Sequence, residues 1–242
     1  GNPVSKTTST PVPVAPGASV TMSAAQLTRA LRILDPIRSS DCDRPLLNGF
    51  YLERDLDDRP VFVATDSCRL GVVTAKGDWE VEWSKDWKRG HGAVFDIPVK
   101  RLQSDLRATM RRKMDGLATL TVGDVGTAAF NPGAFTWNER GVILRGNLDE
   151  DVTPVFGARA DSKGFPYVSW RSITSNERQE TEDGTPVAFN PQYLADMCKV
   201  VQLLGYGNTP IRFVGGRFGM AEVRAESDSL AFHGLLMAVR IS

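Results

Sequence analysis

Three times along the chain a short alternating run of apolar and polar residues gives way to apolar residues at helical spacing. "VTMSAAQL" from Val20, "FDIPVKRL" from Phe95 and "VAFNPQYL" from Val187 each predict a short strand, a helix-starting residue and a Leu in the first helical turn. Ser23 with Gln26 fits a capping box, Asn190 with Pro191 fits an N-cap followed by proline at the first helical position, and Pro98 stands where that proline belongs in the second copy. After each helix the period returns to two. "LLNGFYLE", "VFVAT" and "GVVTA" follow the first; "LATLTV", "GTAAF" and "FTWNERGVIL" the second; "IRFV", "FGMAEVR" and "LAFHGLLMAVRI" the third. The repeated unit is βαβββ, which predicts an α+β fold of antiparallel sheets covering helices. Two such units pair across a shared core, so the third is left over and favours self-association.

The helix faces carry the charge. In the second helix Val99, Leu102, Leu106, Met110 and Met114 make the apolar stripe, while Lys100, Arg107 and Arg111, with Arg101 and Arg112 beside them, make a basic face. The first helix repeats this with Leu27, Leu31 and Leu34 inward and Arg29 and Arg32 outward; the third adds little beyond Lys199. Such a face is either a solvated surface or an attractor of phosphate.

Composition sharpens the point, because 29 Lys and Arg balance 29 Asp and Glu over 242 residues and the summed field attracts no polyanion. Any nucleic-acid partner is therefore local to those helices. No apolar run approaches the roughly 18–20 residues that span a bilayer, and no basic start precedes an apolar stretch, so a cytoplasmic protein without a membrane partner is expected. Three widely spaced cysteines, Cys42, Cys68 and Cys198, without a CxxC indicate reduced thiols and no zinc site. No cofactor motif is present. Residues 1–17, rich in Pro, Ser, Thr and Val, read as a disordered arm, and Gly1 as a remnant of expression.

Catalysis finds no footing. "FVATDSCRLGVV" at 62–73 clusters Thr65, Asp66, Ser67, Cys68 and Arg69, but the two histidines, His91 in a Gly-flanked loop and His233 in an apolar strand, offer a Cys68 nucleophile no base. Asp66 suits a turn where it accepts backbone N–H bonds. "FVGGRFG" lacks a phosphate-loop pattern and reads as a hairpin turn, and "DLDD" at 55–58 as a charged hairpin tip.

"PLLNGFYLE", "VFVATDSCRLGVV", "GFPYVSW" and the terminal "LLMAVRIS" together resemble the β subunit of bacterial DNA polymerase III, the sliding clamp. The first three stretches are similar to the middle domain of that clamp and residues 187–242 to the second half of its last domain. The resemblance implies a noncatalytic ring around duplex DNA, helices lining the hole and sheets outside. Its partners would be duplex DNA without sequence preference, held through Arg29, Arg32, Lys100, Arg101, Arg107, Arg111 and Arg112, and DNA polymerase and clamp-loader-type proteins bound through short linear peptides. The matching peptide-pocket positions are Leu47, Thr65, Ser67, Cys68, Arg69, Leu70, Pro166, Trp170, Met237, Val239 and Arg240. Leu70, Pro166, Met237 and Val239 would be apolar walls, and Arg69 and Arg240 would meet peptide carbonyls or a carboxylate; otherwise these are ordinary core and edge residues. Ala238 stands where the family usually has Pro and Trp170 near where it has Arg. The expected organisation is the arm, a complete two-unit domain at 18–173, and a linker with a one-unit half-domain at 174–242. Twelve units make a ring, so three per chain imply a homo-oligomer of four chains; the reduced size suits a phage-encoded member. A clamp-like adaptor that binds replication proteins without encircling DNA is the alternative.

Overall fold

A computed structural model describes residues 12–14, 17–40, 45–95, 99–100, 117–121, 135–139, 142–145, 170–175, 188–205, 211–214 and 220–239. Its first strands are β1 (Val12–Pro13), β2 (Ser19–Ser23), β3 (Phe50–Arg54), β4 (Pro60–Thr65), β5 (Arg69–Ala75), β6 (Val81–Trp83) and β7 (His91–Phe95), with helix α1 (Ala24–Leu34) after β2. Then come β8 (Leu117–Thr121), β9 (Phe135–Glu139), β10 (Val142–Arg145), α2 (Trp170–Ser175), α3 (Pro191–Leu203), β11 (Ile211–Val214), β12 (Met220–Glu226) and β13 (Leu230–Met237).

Opening strands are exchanged between the first two sets. β2, which leads into α1, pairs antiparallel with β8, while β7, which leads into the second set, pairs antiparallel with β3. This yields a five-stranded sheet, β10-β9-β8-β2-β6, and an eight-stranded sheet, β1-β7-β3-β4-β5-β13-β12-β11. The third set of strands therefore does not stand apart: β13 runs antiparallel to β5 from Leu236↔Arg69 to Leu230↔Ala75.

Period explains which face is buried. Leu27, Leu31 and Leu34 of α1 are fully covered, and the core they enter holds Phe62 and Val73 of the large sheet, Val20 and Leu120 of the small one, and Met197 and Val200 of α3. Burying each such side chain contributes about 1.5–3 kcal/mol, more than helix propensity supplies. At the β5–β13 seam Gly71 faces Gly234. A Cβ at position 71 would lie 2.5 Å from Ile37 Cδ1, so glycine here lets the segment after α1 pack directly on the strands. The opposite face of the large sheet buries Tyr51, Val63, Leu70, Val72 and Leu235 beneath Trp170 and Ile173 of α2.

Local expectations fare unevenly. Asn190 caps α3 by accepting from the N–H groups of Gln192 and Tyr193, with Pro191 at the first turn. Ser23 precedes α1 without a side-chain cap, so the capping box does not form. The arm is corrected at 12–14. Val12 and Pro13 lie parallel to His91 and Gly92, and Val14 is buried in the main core, because an alternating Val-Pro-Val segment fits a sheet edge that asks for few donors. His91 opens β7 rather than sitting in a loop. "DLDD" is the β3–β4 tip, where Asp55 accepts from the N–H groups of Asp57 and Arg59. At that tip Asp58 is lowered to about 2, chiefly by the hydrogen bond from Arg89 and further by Arg54. The apolar stripe of α3 is covered within the chain rather than left bare, since Met197, Val200 and Val201 are buried.

Candidate functional site

The corner between β4 and β5 folds around its own polar groups. Asp66 Oδ1 accepts from the backbone N–H groups of Cys68 at 2.9 Å and Arg69 at 2.7 Å, as its position in a turn predicted. Thr65 Oγ1 donates to the Arg69 carbonyl at 2.5 Å. These bonds throw Ser67 into the left-handed region at φ 75° and leave Ser67 and Cys68 exposed.

Arg69 is the centre of this corner. Its side chain is 7% exposed, pairs with Asp66 Oδ2 and with Asp196 Oδ2 of α3 at 2.8 Å each, and lies 4.1 Å over the Tyr193 ring. A guanidinium taken from water needs such partners to hold its charge. Its Nε and Nη2 are thus engaged by Asp66 and its Nη1 by Asp196. Asp196 also accepts from Gln192 and Lys199, so the local charges offset.

The last strand meets this corner. Met237 N–H donates to the Cys68 carbonyl at 2.9 Å, and Val239 N–H to the Ala188 carbonyl at 2.8 Å. Met237 and Val239 are large apolar residues left 48% and 47% exposed. Behind them Leu70 and Leu235, cross-strand neighbours, belong to the cluster that Trp170 and Ile173 cover.

α2 is anchored on that cluster by a buried carboxylate. Trp170 Nε1 donates to Glu53 Oε2 at 3.3 Å, and Arg171 Nη1 lies 2.5 Å from Glu53 Oε1. Burial raises the Glu53 pKa, and the Arg171 charge and the hydrogen bonds from Arg171, Trp170 and Tyr51 only partly oppose it. The site is a rim of exposed apolar side chains on a polar corner with closed hydrogen bonds. It suits adhesion of an apolar segment; among the described residues no cluster of three or more His, Cys, Asp or Glu could hold a metal.

The fold is similar to that of solved structures. The DNA polymerase III β subunit of Borrelia burgdorferi, in complex with a natural product, superposes with a TM-score of 0.55 at 12% identity over 93% of this chain and 64% of its own. That of Thermotoga maritima gives 0.55 at 12% identity over 93% and 65%, and the Pseudomonas aeruginosa sliding clamp bound to griselimycin 0.52 at 15% over 94% and 67%. The chain has the sliding-clamp fold. It spans just under two thirds of the length of the first two of those clamps. No protein-family model and no curated protein matches it.

On this clamp fold the expected peptide-pocket residues divide. Thr65, Ser67, Cys68, Arg69, Met237 and Val239 share the corner and the adjoining strand end, and Leu70 and Trp170 the apolar cluster beneath. Leu47 lies in the short helical turn Pro45–Asn48, where its carbonyl accepts from Ser39 N–H. Pro166 and Arg240 lie outside the described residues. Among the basic residues, Arg32 and Lys100 are exposed, and Arg29 is half-buried and donates to Ser229 Oγ at 3.3 Å. Arg101, Arg107, Arg111 and Arg112 lie outside the described residues. Sequence reasoning missed Tyr193, Asp196, Glu53 and Arg171. Asp196 is 127 positions from Arg69, and no local pattern links the two.

Proposed function

We propose that the chain is a DNA sliding clamp: a noncatalytic processivity factor that encircles duplex DNA as a homo-oligomer and tethers a polymerase and clamp-loader-type proteins. The observation that carries this reading is the unbroken eight-stranded sheet, with α1 and α3 against one face and the corner meeting the last strand at its end. The sheet gives a continuous wall on which helices can present charge to DNA. Arg29, Arg32, Lys100, Arg101, Arg107, Arg111 and Arg112 are assigned to phosphate, which attracts them without base contacts and so permits sliding. Residues 18–173 act as the complete two-unit domain and 174–242 as a half-domain.

The peptide site is assigned to the exposed Met237 and Val239 beside Ser67 and Cys68, backed by Leu70 and Trp170, with Pro166 and Arg240 completing it. Methionine adapts to varied apolar side chains, so one rim accepts several partners. Arg69 holds the corner in place and leaves the peptide to the apolar rim.

The test is retention on circular against linear duplex, with and without a clamp loader. A sliding clamp stays on circles and is lost when they are cut. Equal retention on both forms, or none on either, contradicts the reading and favours an adaptor that binds partners without encircling DNA.

A further inference from the structure

Glu53 shares with Tyr51 the face of β3 opposite the main core, where alternation along the sheet also places Val61 and Val63 of β4 and Leu70 of β5. Its cross-strand partners are Val61 and Gly92, and neither brings a charge to it. Asp55, two residues on, is spent on Arg59 and on the turn that follows. A side chain at position 92 would strike the Tyr51 ring and hydroxyl, so glycine there leaves Tyr51 room to lie beside the carboxylate and donate to it. The Glu53 side chain is nevertheless only 1% exposed. What closes over it is α2, through the Trp170 indole and the Arg171 guanidinium.

α2 is six residues long, and helices shorter than roughly 12–15 residues are marginal in water by themselves. It therefore keeps its shape through what it touches. Trp170 and Ile173 rest on the apolar cluster, and Glu53 supplies the polar contact. A buried carboxylate whose cation is itself 33% exposed is a costly anchor. Burial is the largest influence on Glu53 and raises its pKa against the opposition of Arg171, Trp170 and Tyr51. Withdrawal of α2 returns water to the carboxylate and removes Arg171, so the group relaxes toward its ordinary 4.5. The docked state thus holds the proton more tightly than the undocked one. Docking is strongest below the ordinary value and loses stability as pH rises through the raised one.

We infer that α2 is a proton-linked cover on this face of the large sheet, latched by Glu53 through Trp170 and Arg171, which closes over Tyr51, Val63 and Leu70 when Glu53 is protonated and loosens when it is charged. The device is internal to the chain and holds whether or not the neighbouring rim takes a peptide.

The experiment measures how well α2 shields a thiol placed beneath it. In a chain carrying Cys42→Ser, Cys68→Ser and Cys198→Ser, Val63→Cys puts that thiol in the covered cluster, and Val73→Cys puts one in the main core as a control. Leu235→Cys, in the same covered cluster, repeats the measurement should the first variant not fold. The rate of reaction with a neutral disulfide reagent, divided at each pH by the rate in denaturant, cancels the ionisation of the thiol itself. Protection at position 63 is expected to fall as pH rises above the ordinary carboxylate value, by at most about tenfold per pH unit for one proton, while protection at position 73 stays level. Glu53→Gln keeps an acceptor for Trp170 without a charge and should leave protection high and independent of pH. Arg171→Met strands the charged carboxylate and should lower protection at neutral pH by about tenfold or more, and adding Glu53→Gln should restore most of it. Protection at position 63 that ignores pH, a pH dependence that survives Glu53→Gln, unchanged protection in Arg171→Met, or loss at position 73 in step with position 63 overturns the inference.

Discussion

The two ends of the β5–β13 seam are held by different means. At the Arg69↔Leu236 end a nearly buried guanidinium joins two carboxylates and an aromatic face. At the Leu230↔Ala75 end the bonds are mostly neutral. Lys76 N–H donates to the Ser229 carbonyl at 2.9 Å, the Trp79 indole donates to the same oxygen at 2.7 Å, and the charged pair Lys76–Glu226 is exposed at 39% and 65%. A buried charge network is costly to disturb and fixes direction, whereas neutral bonds and surface pairs tolerate change. The rigid end is the one that carries Met237 and Val239 in the open. An apolar rim that must keep its shape in water is thus mounted on the least deformable part of the seam.

This contrast can be broken by substitution along the seam. Arg69→Met leaves Asp66 and Asp196 without their shared cation and should cost about 3–5 kcal/mol in denaturant unfolding; a loss below 1 kcal/mol would mean the network is not what holds this end. Midway, Gly71→Ala drives a methyl group against Ile37 and Leu34 and should cost about 1–3 kcal/mol, read as a lowered midpoint with an unchanged slope. At the far end Trp79→Phe removes one indole hydrogen bond and should cost about 1 kcal/mol. Lys76→Gln should cost about 0.5 kcal/mol or less and lose even that in high salt. A reversal of this order would end the contrast.

What was legible in the sequence was what local period and local chemistry determine. Leu27, Leu31 and Leu34 announce the buried face of α1, Asn190-Pro191 announces the start of α3, and Asp66 announces a turn that satisfies its own N–H groups. Charge pairing across distant segments was not legible. Arg69 reads as a free cation at an exposed corner until α3 brings Asp196 and Tyr193 over it, and nothing near position 69 signals that. Glu53 alternates correctly for a strand, yet its burial depends on α2, which arrives more than a hundred residues later. Residues 12–14 were misread because prolines argue against secondary structure in general, while the edge of the large sheet beside β7 accepts Pro13.

The proposed binding of a short apolar peptide at the rim is open to titration with a fluorescent peptide of the clamp-binding type. Leu70 is too deeply buried for an informative charge substitution, so the variant is Met237→Asp with Val239→Asp, both exposed in the folded protein. The unaltered chain should bind saturably and the variant at least tenfold more weakly, equal to about 1.4 kcal/mol, with circular dichroism unchanged. Equal affinity in the folded variant, or no binding by the unaltered chain, would contradict it.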